Sequence, residues 1–166
     1  MILAQIRSGD SVFVDANIFV YHFAPDPNFQ SASSQLLQRI ENLDVTGFTS
    51  TAILSEVAHR LMTVEAQARL PWSSGKLVTR LRSNPASLQS LTNFHTAVAT
   101  ILQSRIQVVT IPPPLILAAT LISQQYGLLS NDALIVAVMK ANGLSHLASN
   151  DADFDRVPGL VRYAPV

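Results

Sequence analysis

Three aspartates stand where a folded chain can gather reactive groups. Asp15 directly follows the apolar run Val12-Phe13-Val14, Asp132 precedes the apolar run Leu134 to Met139, and Asp151 lies two positions beyond His146-Leu147-Ala148-Ser149. The first and third runs are short and apolar, as buried strands are, and the second lies in a helix that Ser130 and Asn131 can cap and Asn142-Gly143 can stop. In an open parallel sheet the carboxyl ends of the strands, with nearby helix N-termini, form the ligand-binding edge. Such a sheet gathers Asp15, Asp132 and Asp151 there, with Glu56 arriving from a flanking helix. Carboxylates that close raise one another's pKa unless a cation neutralises them, and their hard oxygens suit Mg²⁺ or Mn²⁺. The chemistry implied is metal-assisted hydrolysis: a metal-acidified water attacks, and a second ion roughly 4 Å away steadies the leaving oxygen of a phosphodiester.

Taken singly, each acid has an ordinary structural role. Asp15 and Asp151 suit turns at strand ends, Asp132 suits a helix's first turn, and Glu56 suits a solvated flank. Asn17 and Ser149 are donors beside the acids, or routine cap and strand-end residues. Other chemistries lack parts. Glu56 and His59 have di-iron spacing, but no second Glu-x-x-His helix exists. Ser74-Gly75-Lys76 lacks the first glycine of a phosphate loop, since Leu70 occupies its place. His22, His95 and His146 are scattered and read as structural, and the chain has no cysteine, which removes disulfides and thiolate sites. Trp72, Phe48 and Tyr163 suit packing better than base stacking.

The elements that must position these residues follow in order. After the strand at 12–14 come a short helix from Ile18 to Phe23, stopped by Pro25 and Pro27, and an amphipathic helix from Gln30 to Leu43. Gly47 to Ser50 is a second strand, and Thr51 opens a helix to about Val64 with Glu56 on its polar flank. From about residue 70 to 93, Pro71, Ser73-Ser74-Gly75 and Pro85 break the pattern into a helical insertion, with helices at Lys76 to Arg82 and Ala86 to Leu91. Then come a helix from Thr96 to Ser104, a strand at Val108 to Thr110, a rigid turn at Pro112-Pro113-Pro114, and a helix from Leu115 to Gln125 ended by Gly127. Ser130 and Asn131 cap the helix that carries Asp132, Asn142-Gly143 ends it, and Leu160 to Tyr163 is an edge strand. Strands separated by helices predict an α/β fold, a small parallel sheet with helices on both faces.

At 166 residues, with 48% hydrophobic, the chain can build a sizeable core as one domain, 1–166. Only 13% is charged, about half the usual share, which predicts an apolar surface covered in a homodimer or by another protein. Lys+Arg and Asp+Glu are both 11, so nucleic-acid contact requires a local patch. Lys76 and Arg80, four apart on one helix, supply one, extended by Arg82 and Arg69. Arg7, Asp10 and Asp15 interrupt any secretory segment, and no apolar run approaches the ~20 residues of a membrane span, so a soluble, cytoplasmic protein is expected.

Val-Asp-Ala-Asn at 14–17, Ser-Glu-Val at 55–57, Asn-Asp-Ala-Leu-Ile-Val-Ala at 131–137 and Leu-Ala-Ser-Asn-Asp-Ala-Asp-Phe-Asp at 147–155 together resemble the PIN domain. The resemblance spans nearly the whole chain. It implies a three-layer α/β/α fold and an Mg²⁺- or Mn²⁺-dependent endoribonuclease, similar to the VapC toxins of prokaryotic toxin–antitoxin pairs, with RNA as substrate and an inhibitory antitoxin as partner. Carried over by position, Asp15 is the first acid and Asn17 its polar companion, Glu56 the second, Asp132 the third and Asp151 the fourth. Asp153 and Asp155 lie near enough to substitute for Asp151. The alternative is a silent module that binds RNA or protein without cutting. A phosphatase or receiver using Asp15 as phosphate acceptor needs a second acid where this chain has Asn17.

Overall fold

The protein is described from a computed structural model over residues 1–71 and 74–166. The packing role assigned to Trp72 therefore lies outside the described residues. Among those residues five strands, β1 (Ser11–Val14), β2 (Thr46–Ser50), β3 (Gln107–Val109), β4 (His146–Ala148) and β5 (Val161–Tyr163), form one parallel sheet in the order β3-β2-β1-β4-β5. The helices are α1 (Ala16–Phe23), α2 (Gln30–Glu41), α3 (Thr51–Arg69), α4 (Leu77–Ser83), α5 (Pro85–Gln89), α6 (Asn93–Gln103), α7 (Pro113–Tyr126) and α8 (Ser130–Ala141).

Val12, Phe13 and Val14 are all fully buried, because β1 is central and helices cover both faces; hence the unbroken apolar run in place of alternation. The chain winds from β1 outward to β2 and β3, then returns past β1 to lay down β4 and β5. Right-handed crossovers put the helices of the outward path on one face and α7 and α8 on the other. The packing agrees: α1 contacts α2 and α3, α3 contacts α6, and α7 lies along α8. This is the expected α/β/α sandwich. The winding reverses between β1 and β4, which opens a crevice at the carboxyl ends of those two strands.

Several boundaries differ from the sequence expectation, each for a local reason. The proline triplet is not a separate turn: Pro112 is the N-cap of α7 and the next two prolines enter its first turn, where a missing N–H loses no helix bond. Ser130 and Asn131 do not cap α8. The N-cap is Leu129 without a side-chain bond; its carbonyl accepts from Ala133 N at 2.9 Å, so the helix has already begun at Ser130. Helix α3 continues past Val64 to Arg69, since Glu65 and Ala66 turn inward. Glu65 accepts from the Thr92 and Asn93 amides at 3.1 and 2.9 Å and from Arg69 Nη1 at 2.7 Å. Burial alone would raise its pKa, but Arg69 and the two amides outweigh burial and hold it below its usual value. Arg69 also donates to the Ser90 carbonyl, so it ties the insertion down and does not extend the basic stripe. Lys76, Arg80 and Arg82 are exposed. Leu77, Leu81 and Leu91 of the 70–93 segment form a small separate core with Ala66 of α3. His146 lies 3.7 Å from Asp10 Oδ2 and edge-on to buried Tyr163, so both are packing residues.

Gly47 on β2 marks the closest approach of helix to sheet: a Cβ there would lie 2.6 Å from Ile40 Cδ1 and 2.9 Å from its Cγ2. Ile40 is itself buried and cannot swing clear. Gly47→Ala should therefore cost about 1–3 kcal/mol in denaturant unfolding. Adding Ile40→Val should recover part of that loss, and strictly additive losses would refute the contact.

Candidate active site

Asp15 ends β1 and is the N-cap of α1, with one carboxylate oxygen accepting from its neighbour's amide, Ala16 N, at 2.6 Å. The other oxygen accepts from Asn17 Nδ2 and from Ser149 Oγ, the latter at 2.7 Å. Ser149, wholly buried at the exit of β4, also accepts from Asn17 Nδ2 at 3.1 Å and from Asp151 N at 3.0 Å. One hydroxyl thus joins Asp15 to the segment that carries Asp151. Asn17 Oδ1 accepts from Asn150 N at 3.2 Å and completes the link across the β1–β4 crevice.

Asp151 caps a 3-10 turn, Ala152–Arg156, by accepting from Asp153 N at 2.9 Å, and its side chain is otherwise exposed. The turn is fixed by the fully buried Phe154 and by two arginines. Arg156 donates to Asp153 Oδ1 at 2.7 Å and to the Gly127 carbonyl at 3.1 Å, which ties the turn to the chain entering α8. Arg162 on β5 grips both oxygens of Asp155 at 2.8 Å and the Ser149 carbonyl at 3.3 Å. That fork holds Asp155 below the usual carboxylate range. Asp153 and Asp155 therefore have arginine partners, and Asp151 has none among the described residues.

Asp132 is half-buried in the first turn of α8, where the helix dipole favours a carboxylate. Burial, then the charges of Asp151, Glu56 and Asp153, push its pKa up to about 6. Asp15 is also raised to about 6, mainly by burial, against which the Ser149 and Ala16 bonds work; Glu56 raises it further and Arg60 lowers it. Glu56 therefore acts on both Asp15 and Asp132, and Asp151 and Asp153 act on Asp132. Glu56 is half-buried beside the crevice, with Arg60 Nη1 3.5 Å from its Oε1.

Among the described residues no three ligating side chains already converge as a closed cation site. The donor set nonetheless fits a hard divalent cation: it is all oxygen, it is anionic, and two members hold protons unusually tightly, through burial first and neighbouring carboxylates second. The larger hollows lie elsewhere, including one of about 270 Å³ lined by Phe19, His22, Phe23, Leu37 and Ile101. Asp15 is buried, Glu56 and Asp132 are half-buried and Asp151 is exposed, so the acids run outward from the crevice to the surface.

The PIN domain family profile matches residues 12–160. The chain belongs to the PIN domain family. It is similar to Ribonuclease VapC2 of Methanocaldococcus jannaschii, 26% identical over 151 residues and 91% of each chain. The PIN fold is seen again in VapC20 of Mycobacterium tuberculosis, a sarcin–ricin-loop-cleaving toxin (TM-score 0.57, 19% identity, 87% of this chain and 92% of that one). VapBC2 of Rickettsia felis, bound to promoter DNA, gives a TM-score of 0.55 at 18% identity, over 93% of this chain and 98% of that one.

Sequence reasoning missed the arginines of this PIN site. Arg60 follows Glu56 by four residues and Arg156 follows Asp153 by three, both helical spacings that were open to view. Arg162 was not, because only the β4–β5 register brings it beside Ser149.

With divalent ions chelated, the folded chain keeps protons on Asp15 and Asp132 up to about pH 6, whereas ordinary aspartates release them near 3.8. These two groups therefore favour the fold at low pH, and that contribution is lost as pH rises through 6. Asp15 accounts for up to about 3 kcal/mol, and half-exposed Asp132 for less. Asp15→Asn should flatten the fall in melting temperature as pH rises from 3.8 to about 6. An unchanged slope would mean that Asp15 is ionised throughout.

Proposed function

We propose that this chain is a metal-dependent endoribonuclease, the toxin of a toxin–antitoxin pair, acting as one PIN nuclease domain with a helical insertion at about 70–93. The observation that carries this reading is the placement of Asp15 and Asp151 at the carboxyl ends of β1 and β4, joined through Ser149, with Glu56 near enough to act on Asp15 and with Glu56 and Asp151 near enough to act on Asp132. The likeness to a ribonuclease over nine-tenths of both chains supports it.

Asp15, Asp132 and Asp151 would hold Mg²⁺ or Mn²⁺. Such an ion supplies an acidified water and a Lewis acid for the phosphodiester. Ser149 and Asn17 aim Asp15, and by occupying parts of its carboxylate they fix which lone pairs remain. Glu56, on its own helix, accepts a hydrogen bond from the attacking water and takes its proton. Asp151 serves as the fourth acid in preference to Asp153 and Asp155, because those two are held by Arg156 and Arg162.

The substrate is RNA, and the exposed Lys76, Arg80 and Arg82 of the insertion track its backbone. Ile116, Leu117 and Leu121 stand exposed on α7, an apolar face suited to a homodimer, and an antitoxin would cover further surface in the cell. No helix among the described residues is long and apolar enough to cross a membrane, in keeping with action on cytoplasmic RNA.

Asp15→Asn and Asp132→Asn should each abolish Mg²⁺- or Mn²⁺-dependent cleavage of mixed RNA while the chain stays folded. Asp155→Asn should retain measurable cleavage at reduced thermal stability. Full activity in both of the first two variants would sink the nuclease assignment. The stripe is tested separately: Lys76→Ala with Arg80→Ala should flatten the plot of log affinity against log salt by roughly 0.7 per lost contact on single strands, with little change at saturating RNA. Light scattering at tens of micromolar should report a dimer, and a strict monomer would refute the apolar-face argument.

A further inference from the structure

An edge crowded with carboxylates repels the polyanion it is read to cut, so a cation with unspent donors is needed beside it. Three arginines adjoin the acids among the described residues. Arg156 spends its guanidinium on Asp153 and the Gly127 carbonyl, and Arg162 spends its own on Asp155 and the Ser149 carbonyl, all at 2.7 to 3.3 Å. Both are struts of the fold. Arg60 differs. Its one charged contact is Glu56 Oε1 at 3.5 Å, too long for a hydrogen bond, and its side chain is 40% exposed.

Arg60 also lies on the side of α3 that faces the site. It sits one helical turn beyond Glu56, and its charge reaches Asp15 across the crevice. An exposed ion pair of this length contributes little to stability, so stability alone gives the position no reason to be an arginine. The planar guanidinium offers five donors in a fork that matches two phosphate oxygens.

We propose that Arg60 is an RNA-contacting residue of this site, gripping the non-bridging oxygens of the phosphodiester presented to the carboxylates. In the free protein it rests against Glu56, and on binding RNA it moves from carboxylate to phosphate, which leaves Glu56 free for water. This rests on the ribonuclease reading above and extends it to the way the substrate is held.

The test compares wild type, Arg60→Gln, Arg60→Lys and, as a charge control, Arg7→Gln, whose exposed side chain precedes β1 at the opposite edge of the sheet. Anisotropy of a labelled single-stranded RNA in chelator gives affinity against salt, and cleavage with Mn²⁺ gives kcat/KM. Arg60→Gln should flatten the salt slope by about 0.7. It should lower kcat/KM about tenfold or more, with its melting temperature nearly unchanged. Arg60→Lys should keep the slope but lose part of kcat/KM, and Arg7→Gln should match wild type in both. If Arg60 only tethers Glu56, Arg60→Gln will alter metal dependence and leave the slope unchanged, which overturns the proposal while the nuclease reading stands. A flattened slope in a chain that never cleaves would support the phosphate contact and defeat the nuclease reading. No RNA binding by wild type would overturn both.

Discussion

A carboxylate taken out of water at the end of a central strand must be satisfied on every side, and the Asp15 carboxylate is held in that condition. Its oxygens are met by a backbone amide, an amide side chain and a hydroxyl, drawn from the start of α1 and from the exit of β4. The Ser149 donor reaches Asp15 only because the winding of the sheet reverses there and makes β1 and β4 neighbours, although the two residues are 134 apart in the chain. Hydrogen bonding compensates the burial only partly, and the raised pKa records the shortfall. A site with that residual demand for positive charge is built for a cation or a proton.

The charges around it divide into two groups. Asp153 and Asp155 are neutralised within the protein by Arg156 and Arg162, and with Phe154 in the core they make a rigid turn of short pairs. Asp15, Asp132, Asp151 and Glu56 are left with little or no internal countercharge. Rigidity in the first group is what keeps the second close despite repulsion, because the turn is tied on one side to the strand that bears Ser149 and on the other to the entry of α8. Pre-organisation of this kind moves the cost of gathering like charges from the moment of binding to the folding of the chain.

The helical insertion follows similar logic at a distance. Glu65 is buried at the end of α3 and serves two amides at the start of α6, so the segment between them is closed into a loop with fixed ends. Leu77, Leu81 and Leu91 pack on Ala66 of α3, and Glu65 and Arg69 add polar ties. A basic surface on such a unit can differ among relatives without disturbing the carboxylates.

The sequence by itself determined the strands, most of the helices and the order of the acids. Unbroken apolar runs report burial on both faces, and glycine, proline and cap residues act through local backbone sterics. It determined that the fold is α/β and, through four short motifs read together, its family. It did not fully decide which acid has a partner. Arg156, three residues after Asp153, marks that acid locally, but Asp151 and Asp155 become unequal only when β5 lies beside β4 and brings Arg162 within reach of Asp155. The true length of α3 likewise depended on distant partners, the Thr92 and Asn93 amides, lying 27 and 28 residues from Glu65. Local sterics are written in neighbouring residues. The pairing of charges depends on distances that only the closed sheet sets.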